Sequence, residues 1–205
     1  MNIGRPRSSD YETKRQALLD VLEERLVQVG PQASLSALAT AAKVSVPTLK
    51  HYFGDREKVI CAVLDAGFQR GENFMAIART TELPFDQSIF DLLMFVQQGF
   101  KQGRLGNLHV VGLCEGLHHR TIGPHYLDKI FNPTILTTAE RLKLHQSRDE
   151  MKFVDSKNAA ICLTSPLIAI LLHQNYLGGS KEDPVNLEQF CQTHADSFVA
   201  AYKNN

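Results

Sequence analysis

The chain has 205 residues, in which 22 Lys and Arg are balanced by 22 Asp and Glu, so its formal net charge is zero. A hydrophobic share of 43% is ordinary for a packed globular protein and too high for a disordered one. The neutral charge excludes a protein that binds nucleic acid through bulk positive charge, although it leaves room for a small basic face.

The four cysteines lie in apolar stretches and form no Cys-x-x-Cys pair, which predicts buried free thiols and not disulfides or a zinc site. The first ten residues, MNIGRPRSSD, lack the apolar core of a signal peptide. The longest nearly apolar run, residues 159–172, is shorter than the roughly 20 residues of a membrane span. We expect a protein of the reducing cytoplasm that has no membrane partner and needs neither metal nor cofactor.

Apolar residues recur at helical spacing along the whole chain, and no set of alternating strands is evident. The first helix is predicted to begin at a capping box formed by Ser9 and Glu12. It is predicted to end at Gly30 and Pro31, because a glycine followed by a proline is typical of a helix C-terminus. The sequence therefore begins with one long amphipathic helix.

Two short helices are predicted at about 35–42 and 46–52, with Ser34 and Ser45 as their N-caps. A three-residue turn joins them, which is typical of the helix-turn-helix motif. Asp55 then caps a fourth helix, which is predicted to be long. The pattern places a compact three-helix unit at the start of the chain.

The rest of the chain is predicted to be helical as well, with an interruption or kink near Asn132 and Pro133. We expect an all-α protein of nine or ten helices with one natural boundary. This boundary separates a helix-turn-helix domain, residues 1–55, from a helical domain, residues 56–205, and the fourth helix bridges them. The later predicted helices cover residues 56–79, 85–101, 108–119, 126–145, 155–176 and 183–202.

Residues 34–58, SLSALATAAKVSVPTLKHYFGDREK, carry the most specific pattern in the chain. This segment resembles the helix-turn-helix of TetR-family bacterial transcription regulators, whose pattern is roughly T-x-x-x-I-A-x-x-A-G-V-S-x-x-T-L-Y-x-Y-F-x-x-K-E. The basic GRPR at residues 4–7 also resembles the N-terminal arm of many members, and the specific resemblance covers about residues 4–60. The matching positions are Leu38, Ala39, Ala42, Val44, Ser45, Thr48, Leu49, Tyr52, Phe53 and Glu57.

Three positions depart from the family pattern without removing the motif. Lys43 occupies the position of the turn glycine, and a lysine there costs about 1–2 kcal/mol if its φ angle is positive. Lys50 occupies the position of a common tyrosine, so a charged contact replaces a phenolic one. Arg56 replaces a lysine near the start of the fourth helix. We expect Lys43 and Lys50 to alter the preferred operator.

The outward residues of the third helix are expected to enter a major groove, which is about 12 Å wide. Val46 and Thr48 can touch thymine methyl groups, and Lys50 can reach guanine or a phosphate. Phosphates are expected near Ser34 and the start of the fourth helix, and the N-terminal arm is expected in a minor groove or along the backbone. The expected DNA-contacting residues are Arg5, Arg7, Ser34, Ser36, Ser45, Val46, Pro47, Thr48, Lys50, His51, Tyr52, Arg56 and Lys58.

In TetR-like proteins the C-terminal helices enclose a ligand pocket, and the resemblance implies such a pocket here. Core packing explains most of the candidate lining residues equally well. The last two helices are apolar enough to form a four-helix bundle with those of a second copy. The candidate pocket residues are Phe68, Phe95, Cys114, His118, Tyr126 and His173. The candidate dimer-interface residues are Leu171, Leu187, Phe190, Cys191, His194 and Phe198.

Residues 112–116, Gly-Leu-Cys-Glu-Gly, permit a different interpretation, a nucleophile elbow with Cys114 as the nucleophile. An elbow needs a preceding strand inside a parallel sheet, and the sequence offers no other strands. A helix in which Gly112 and Gly116 pack closely on a neighbour explains the pattern better. The residues that could instead form a metal site are His109, Cys114, His118 and His119.

These patterns predict a homodimeric DNA-binding regulator, most simply a repressor that a small organic ligand releases from a near-palindromic operator. The charge distribution agrees with this prediction. Residues 1–58 carry nine Lys and Arg against seven Asp and Glu, whereas the remaining residues carry 13 against 15. The alternatives are a hydrolase that uses Cys114 and a helical interaction module without DNA binding.

Overall fold

The structure is a computed structural model that describes residues 9–29 and 33–204. The described part of the chain contains no β-strand, only an isolated bridge between Met151 and Lys203, so the all-α prediction is confirmed. Nine of the described α-helices have seven residues or more. The helices are α1 (Ser9–Val29), α2 (Leu35–Ala41), α3 (Val46–Phe53), α4 (Arg56–Arg79), α5 (Phe85–Lys101), α6 (Leu105–Gly116), α7 (Ile122–Tyr126), α8 (Asn132–Ser147), α9 (Ser156–Asn175), α10 (Gly179–Glu182) and α11 (Leu187–Tyr202), with a π-helical turn at Leu127–Phe131.

Capping groups set the starts of α2, α3 and α4. The Ser34 hydroxyl accepts a hydrogen bond from the backbone N–H of Ala37 at 3.1 Å, and the Ser45 hydroxyl accepts one from that of Thr48 at 3.2 Å. The Asp55 carboxylate caps α4 in the same way. These bonds satisfy backbone donors that a helix leaves unpaired in its first turn, as the sequence predicts.

Between α5 and α8 the helix boundaries differ from the predicted ones. α6 begins at Leu105, three residues earlier than predicted, and includes Gly106, where an added Cβ would overlap the hydroxyl of Tyr176. The Ile-Gly-Pro segment at residues 122–124 begins the separate helix α7, since proline is tolerated in a first turn. The π-helical turn ends just before Pro133, where an interruption is predicted.

The last helix begins at Leu187, and the prediction that Asp183 opens it is wrong. Asn186 provides the cap, because its side-chain oxygen accepts a hydrogen bond from the backbone N–H of Gln189 at 3.0 Å. The preceding residues form the separate single turn α10. α9 is the one described helix that is long and apolar enough to cross a membrane, and it packs against α5, α8 and α11.

The chain builds two apolar cores, and α4 contributes to both. The first core combines α1–α3 and the first half of α4 with residues of α6, α7 and the π-helical turn. The second core is formed mainly by α5, α8, α9 and α11, with Ala78 from the end of α4. We call α1–α3 the head and α4–α11 the body. The predicted domain boundary at residue 55 stays a prediction, since the first core extends across it.

Candidate nucleic-acid interface and ligand cavity

The outer face of α3 carries residues that the sequence places at DNA. Leu49 and Phe53 are buried against the neighbouring helices, whereas Pro47, Lys50 and His51 are exposed. Because the two buried residues are four positions apart, they turn one stripe of α3 inward and the opposite stripe outward. The helix contains two basic residue types and no carboxylate, which suits the negative potential of a DNA groove.

Hydroxyl groups lie at the N-terminal ends of α2 and α3. The hydroxyl oxygens of Ser45 and Thr48 are 2.8 Å apart, and both side chains lie beside the half-buried Val46. Ser34 and Ser36 are exposed near the start of α2. The Ser34 hydroxyl accepts a backbone hydrogen bond and keeps its own proton for another acceptor, whereas one of the Ser45 and Thr48 protons is used between their two oxygens. The arrangement therefore leaves hydroxyl donors near α3 that can reach a phosphate oxygen.

The turn between α2 and α3 contains the lysine that departs from the family pattern. Lys43 has a φ angle of 56°, which lies in the left-handed region that favours glycine. Its backbone N–H donates to the carbonyl oxygen of Thr40, and that of Val44 donates to Ala39, each at 3.0 Å. The positive φ on which the predicted strain depends is therefore present. The exposed side chain adds a positive charge beside α3.

Tyr11, a residue that sequence reasoning missed, supports one flank of α3. Its ring centroid lies 4.8 Å from that of Tyr52 and 5.8 Å from that of His51. Contacts of this kind hold aromatic side chains in fixed positions. α1 therefore helps to orient the end of the recognition helix. The only local signal was an aromatic residue in the first turn of α1, which does not predict its partner.

Arg56 departs from its expected role as a phosphate ligand. Its Nη2 lies 2.6 Å from Oε1 of Glu115 on α6, and its Nε donates to the carbonyl oxygen of Ala33 at 2.5 Å. The Glu115 side chain is only 3% exposed, so this ion pair joins the start of α4 to α6 in a largely dry place, and the bond to Ala33 reaches the head. Lys58 is exposed and pairs with Asp55 at 3.0 Å, a weak surface pair that a phosphate can replace.

Several predicted features fall on parts of the chain that the structure does not describe. The arm residues Arg5 and Arg7 lie outside the described residues. The predicted helix stop at Gly30 and Pro31 and the capping side chain of Ser9 lie outside them as well. These features stay predictions.

A cavity with a volume of about 110 Å³, partly open to solvent, lies between α4, α5, α8 and the π-helical turn. This volume is smaller than the about 300–1,000 Å³ of most small-molecule pockets, so the cavity suits a small or slender ligand. Arg70 and Lys129 are the charged residues of its described wall. The Thr137 hydroxyl, on a residue that is 4% exposed, has no hydrogen-bond partner at this wall. The apolar lining includes Phe68, Phe74, Met75, Leu92, Phe95 and Leu108.

Of the six candidate pocket residues, only Phe68 and Phe95 belong to the wall of this cavity. Tyr126 lies in the first core, where its hydroxyl is 2.7 Å from Nδ1 of His109. Burial raises the pKa of Tyr126 and lowers that of His109 to about 4, so both groups are neutral near pH 7. The candidates that lie elsewhere are Cys114, His118, Tyr126 and His173.

The structure contradicts the nucleophile-elbow interpretation. Residues 105–116 form α6 without a preceding strand, and Cys114 lies inside this helix. The nearby glycines allow close packing, because an added Cβ on Gly112 would overlap the ring of Tyr126, and one on Gly116 would lie 2.9 Å from Cα of Gly123. Among the described residues, no group of three or more His, Cys, Asp or Glu could hold a metal ion.

The stripe that was predicted to form the dimer interface faces the interior of its own chain. α11 packs on α5 and α9, which buries these side chains in or against the second core. His194 shows the same orientation, since its Nε2 lies 2.8 Å from the carbonyl oxygen of Leu163. Leu171, Cys191 and Phe198 are therefore buried within the chain, whereas a dimer contact of the half-buried Leu187, Phe190 and His194 stays a prediction. The buried or half-buried residues of the stripe are Leu171, Leu187, Phe190, Cys191, His194 and Phe198.

Comparison with known proteins identifies the fold. No family model matches the chain, and no curated protein matches it in sequence. A Mesorhizobium loti MAFF303099 protein assigned to the TetR family of transcriptional regulators matches with a TM-score of 0.76 and 17% identity, covering 96% of this chain and 100% of that one. SmeT, in complex with triclosan, matches with a TM-score of 0.70 and 16% identity over 94% of this chain and 93% of its own. The fatty acid degradation regulator FadR of Bacillus halodurans matches with a TM-score of 0.63 and 15% identity over 95% and 97%. The chain has the TetR fold.

Proposed function

We propose that the chain is a sequence-specific DNA-binding transcription regulator. The observation that carries this proposal is the outer face of α3, which Leu49 and Phe53 hold outward from the first core and which presents Lys50 and His51. A helix-turn-helix unit places such a face in the major groove. The fold supports the same function, because the structures that share it are described as transcription regulators.

The proposed contacts divide into base-reading and phosphate-binding groups. Val46 and Thr48 are placed at base edges, and Lys50 is placed at a guanine or a phosphate. The remaining exposed or half-buried groups of the head position the protein on the backbone, and the arm residues Arg5 and Arg7 extend the contact. Arg56 is left out of the interface, because its guanidinium binds Glu115.

We propose that two copies bind one near-palindromic operator, with their recognition helices in successive major grooves roughly 34–36 Å apart. The dimer surface that we propose is the face of α9 that points away from the second core. This face is solvent-exposed and carries Ile161, Cys162, Pro166 and Ala169. Uncharged surface of this kind is typical of a protein interface.

Ala169→Arg is expected to convert a dimer to a monomer in light scattering, whereas Lys157→Ala leaves the dimer intact.

The cavity supports regulation by a small organic effector. α4 forms part of its wall and also connects the head to the body. A ligand that binds better to one arrangement of the two heads would shift the population and change operator affinity. SmeT, which shares the fold, is seen in complex with triclosan. We propose a cytoplasmic repressor that such a ligand releases from DNA.

Selection of bound sequences from random DNA tests the DNA-binding proposal. We expect a palindromic consensus whose half-sites are spaced by one helical turn. Thr48→Ala and Lys50→Ala are expected to weaken binding to that consensus about tenfold each, and the exposed body variant Lys143→Ala is expected to leave it unchanged. Absence of any enriched sequence would favour an interaction module. Unchanged affinity in both head variants would remove α3 from the interface.

A further inference from the structure

The charges at the cavity are of one sign. The wall described above is apolar except for three threonines, Arg70 and Lys129, and it contains no Asp or Glu. Lys129 lies with its Nζ 5.6 Å from the centroid of the Phe68 ring, at the edge of the apolar wall. An apolar pocket with two cations at its wall suits a ligand that combines a hydrophobic body with a negative group.

Arg70 is held by a carboxylate of the head. Its Nη2 lies 2.8 Å from Oε2 of Glu23, a residue of α1 whose side chain is 2% exposed. The other oxygen, Oε1, lies 2.9 Å from Nε of Arg104. Glu23 therefore binds two arginines at once, and only Arg70 belongs to the wall of the cavity.

This arrangement allows the partner of Arg70 to change at low cost. If the Arg70 guanidinium turned to a ligand carboxylate, Glu23 would keep its ion pair with Arg104. A buried carboxylate that loses every cation is strongly destabilising, but one that keeps a close arginine is not. The Thr137 hydroxyl provides a further donor in the same wall, because it is buried without a partner. A ligand oxygen would satisfy it.

We propose that the cavity binds an apolar monocarboxylate and that the ligand carboxylate competes with Glu23 for Arg70. Binding would release the ion pair between α1 and α4 and thereby change how the head is held on the body. The regulatory half of this inference rests on the proposed function, whereas the ligand class rests on the cavity alone. Lys129 of the π-helical turn also belongs to this wall; its Nζ pairs with the exposed Asp128 at 2.9 Å, a surface pair that a ligand carboxylate can replace.

Calorimetric titration of the full chain tests the ligand class with octanoate and 1-octanol, which share an eight-carbon chain. We expect octanoate to bind at least about tenfold more tightly, because a charge-assisted hydrogen bond to arginine is stronger than a neutral one. Decanoate should bind about 15-fold more tightly than octanoate, since each of its two added CH₂ groups contributes about fourfold in affinity. Equal affinity for octanoate and 1-octanol would overturn the proposal.

Variants of the ion pair test the competition. Arg70→Met should remove the preference for octanoate, whereas Arg79→Met, which removes an exposed arginine of the same helix, should keep it. Glu23→Gln should raise the affinity for octanoate several-fold, because the competing carboxylate is gone. A lower or unchanged octanoate affinity in Glu23→Gln would show that the ion pair is only structural and would overturn the competition.

Gel-shift measurements on the selected operator separate this inference from the proposed function. Operator binding without an octanoate preference would overturn the ligand class and leave the DNA-binding function intact. An octanoate preference without operator binding would support the ligand class and contradict the regulator. If both inferences hold, octanoate lowers operator affinity in the natural sequence and in Arg79→Met but not in Arg70→Met.

Discussion

The head and the body build their candidate sites in different ways. The DNA-facing residues of the head and of the first turn of α4 come from one segment, residues 34–58, and hydrogen bonds between residues three positions apart set their local geometry. The cavity of the body draws its wall from α4, α5, α8 and the π-helical turn, over residues 67–138. The first kind of site depends on local geometry, whereas the second depends on contacts between distant segments. We therefore expect single substitutions to cost more stability at the contacts of the body than at the turns of the head.

The largest effect is expected at Arg56, where the head meets the body. Arg56→Met deprives the buried Glu115 carboxylate of the cation at 2.6 Å. Removing one partner of a buried pair costs about 3–5 kcal/mol, because the remaining charge stays desolvated. Urea unfolding at pH 7.5 should show a loss of this size, together with weaker operator binding.

A double variant controls for the lost packing of the arginine. Arg56→Met combined with Glu115→Gln removes both charges, and it should be more stable than Arg56→Met alone. An exposed pair gives the matched comparison, since Arg79→Met should change the free energy of unfolding by less than about 1 kcal/mol. If the double variant is no more stable than Arg56→Met, the charge of Glu115 is not the cause.

The second largest effect is expected at Gly112, where α6 and α7 pack without space for a side chain. Gly112→Ala would push a methyl group into the ring of Tyr126 and should cost about 3 kcal/mol in the free energy of unfolding. Gly99→Ala is the matched control, because a Cβ there meets nothing within 4 Å. That variant should stabilise α5 by about 0.5–1 kcal/mol. Equal effects in the two variants would contradict the proposed close packing.

The head could be predicted well from the sequence, because its capping residues and its turn act on neighbours within a few residues. Ser34, Ser45 and Asp55 cap the helices that they were expected to cap, and the positive φ of Lys43 followed from its position in the motif. Each of these features depends on neighbours within a few residues. Tyr11 was missed because its contact with Tyr52 spans two helices.

The body was predicted only as far as helix type and approximate bounds. An apolar stripe on α11 indicates burial, but it does not tell whether α5 of the same chain or a second copy covers it. In the structure, α5 covers the buried part of this stripe, which includes Cys191 and Phe198. In the same way, the pocket residues could not be separated from the core, because Tyr126 and Phe95 have the same local signal and different surroundings. The cations of the cavity, Arg70 and Lys129, carried no signal at all.

The third effect depends on pH and arises from His109 in the first core. Burial lowers the pKa of His109 from its ordinary value of 6.5 to about 4. In the unfolded chain His109 is protonated below about pH 6.5, whereas in the folded chain it is protonated only below about pH 4. The free energy of unfolding therefore falls as the pH falls between these two values. At pH 5 this loss is about 2 kcal/mol relative to pH 7.5.

The variant His109→Gln stays neutral and keeps an acceptor for the hydroxyl of Tyr126. Its stability should therefore fall by about 2 kcal/mol less than that of the natural sequence when urea unfolding is compared at pH 7.5 and pH 5. The other titrating groups are the same in both proteins, so their contributions to the free energy of unfolding cancel when the two losses are subtracted. Equal losses in the two proteins would show that His109 titrates normally in the folded chain.

The smallest effect is expected in the head, at Lys43, and its sign is opposite to the others. With a φ angle of 56°, Lys43 carries the strain of a side chain in the left-handed region, so Lys43→Gly should raise the free energy of unfolding by about 1 kcal/mol. Lys43→Ala loses the same charge but keeps the Cβ, and it should show no such gain. Both variants should weaken operator binding equally if the lysine contributes only its charge. A glycine variant no more stable than the alanine variant would mean that the turn relaxes around its side chain, and local geometry would then not explain why the head was the more predictable region.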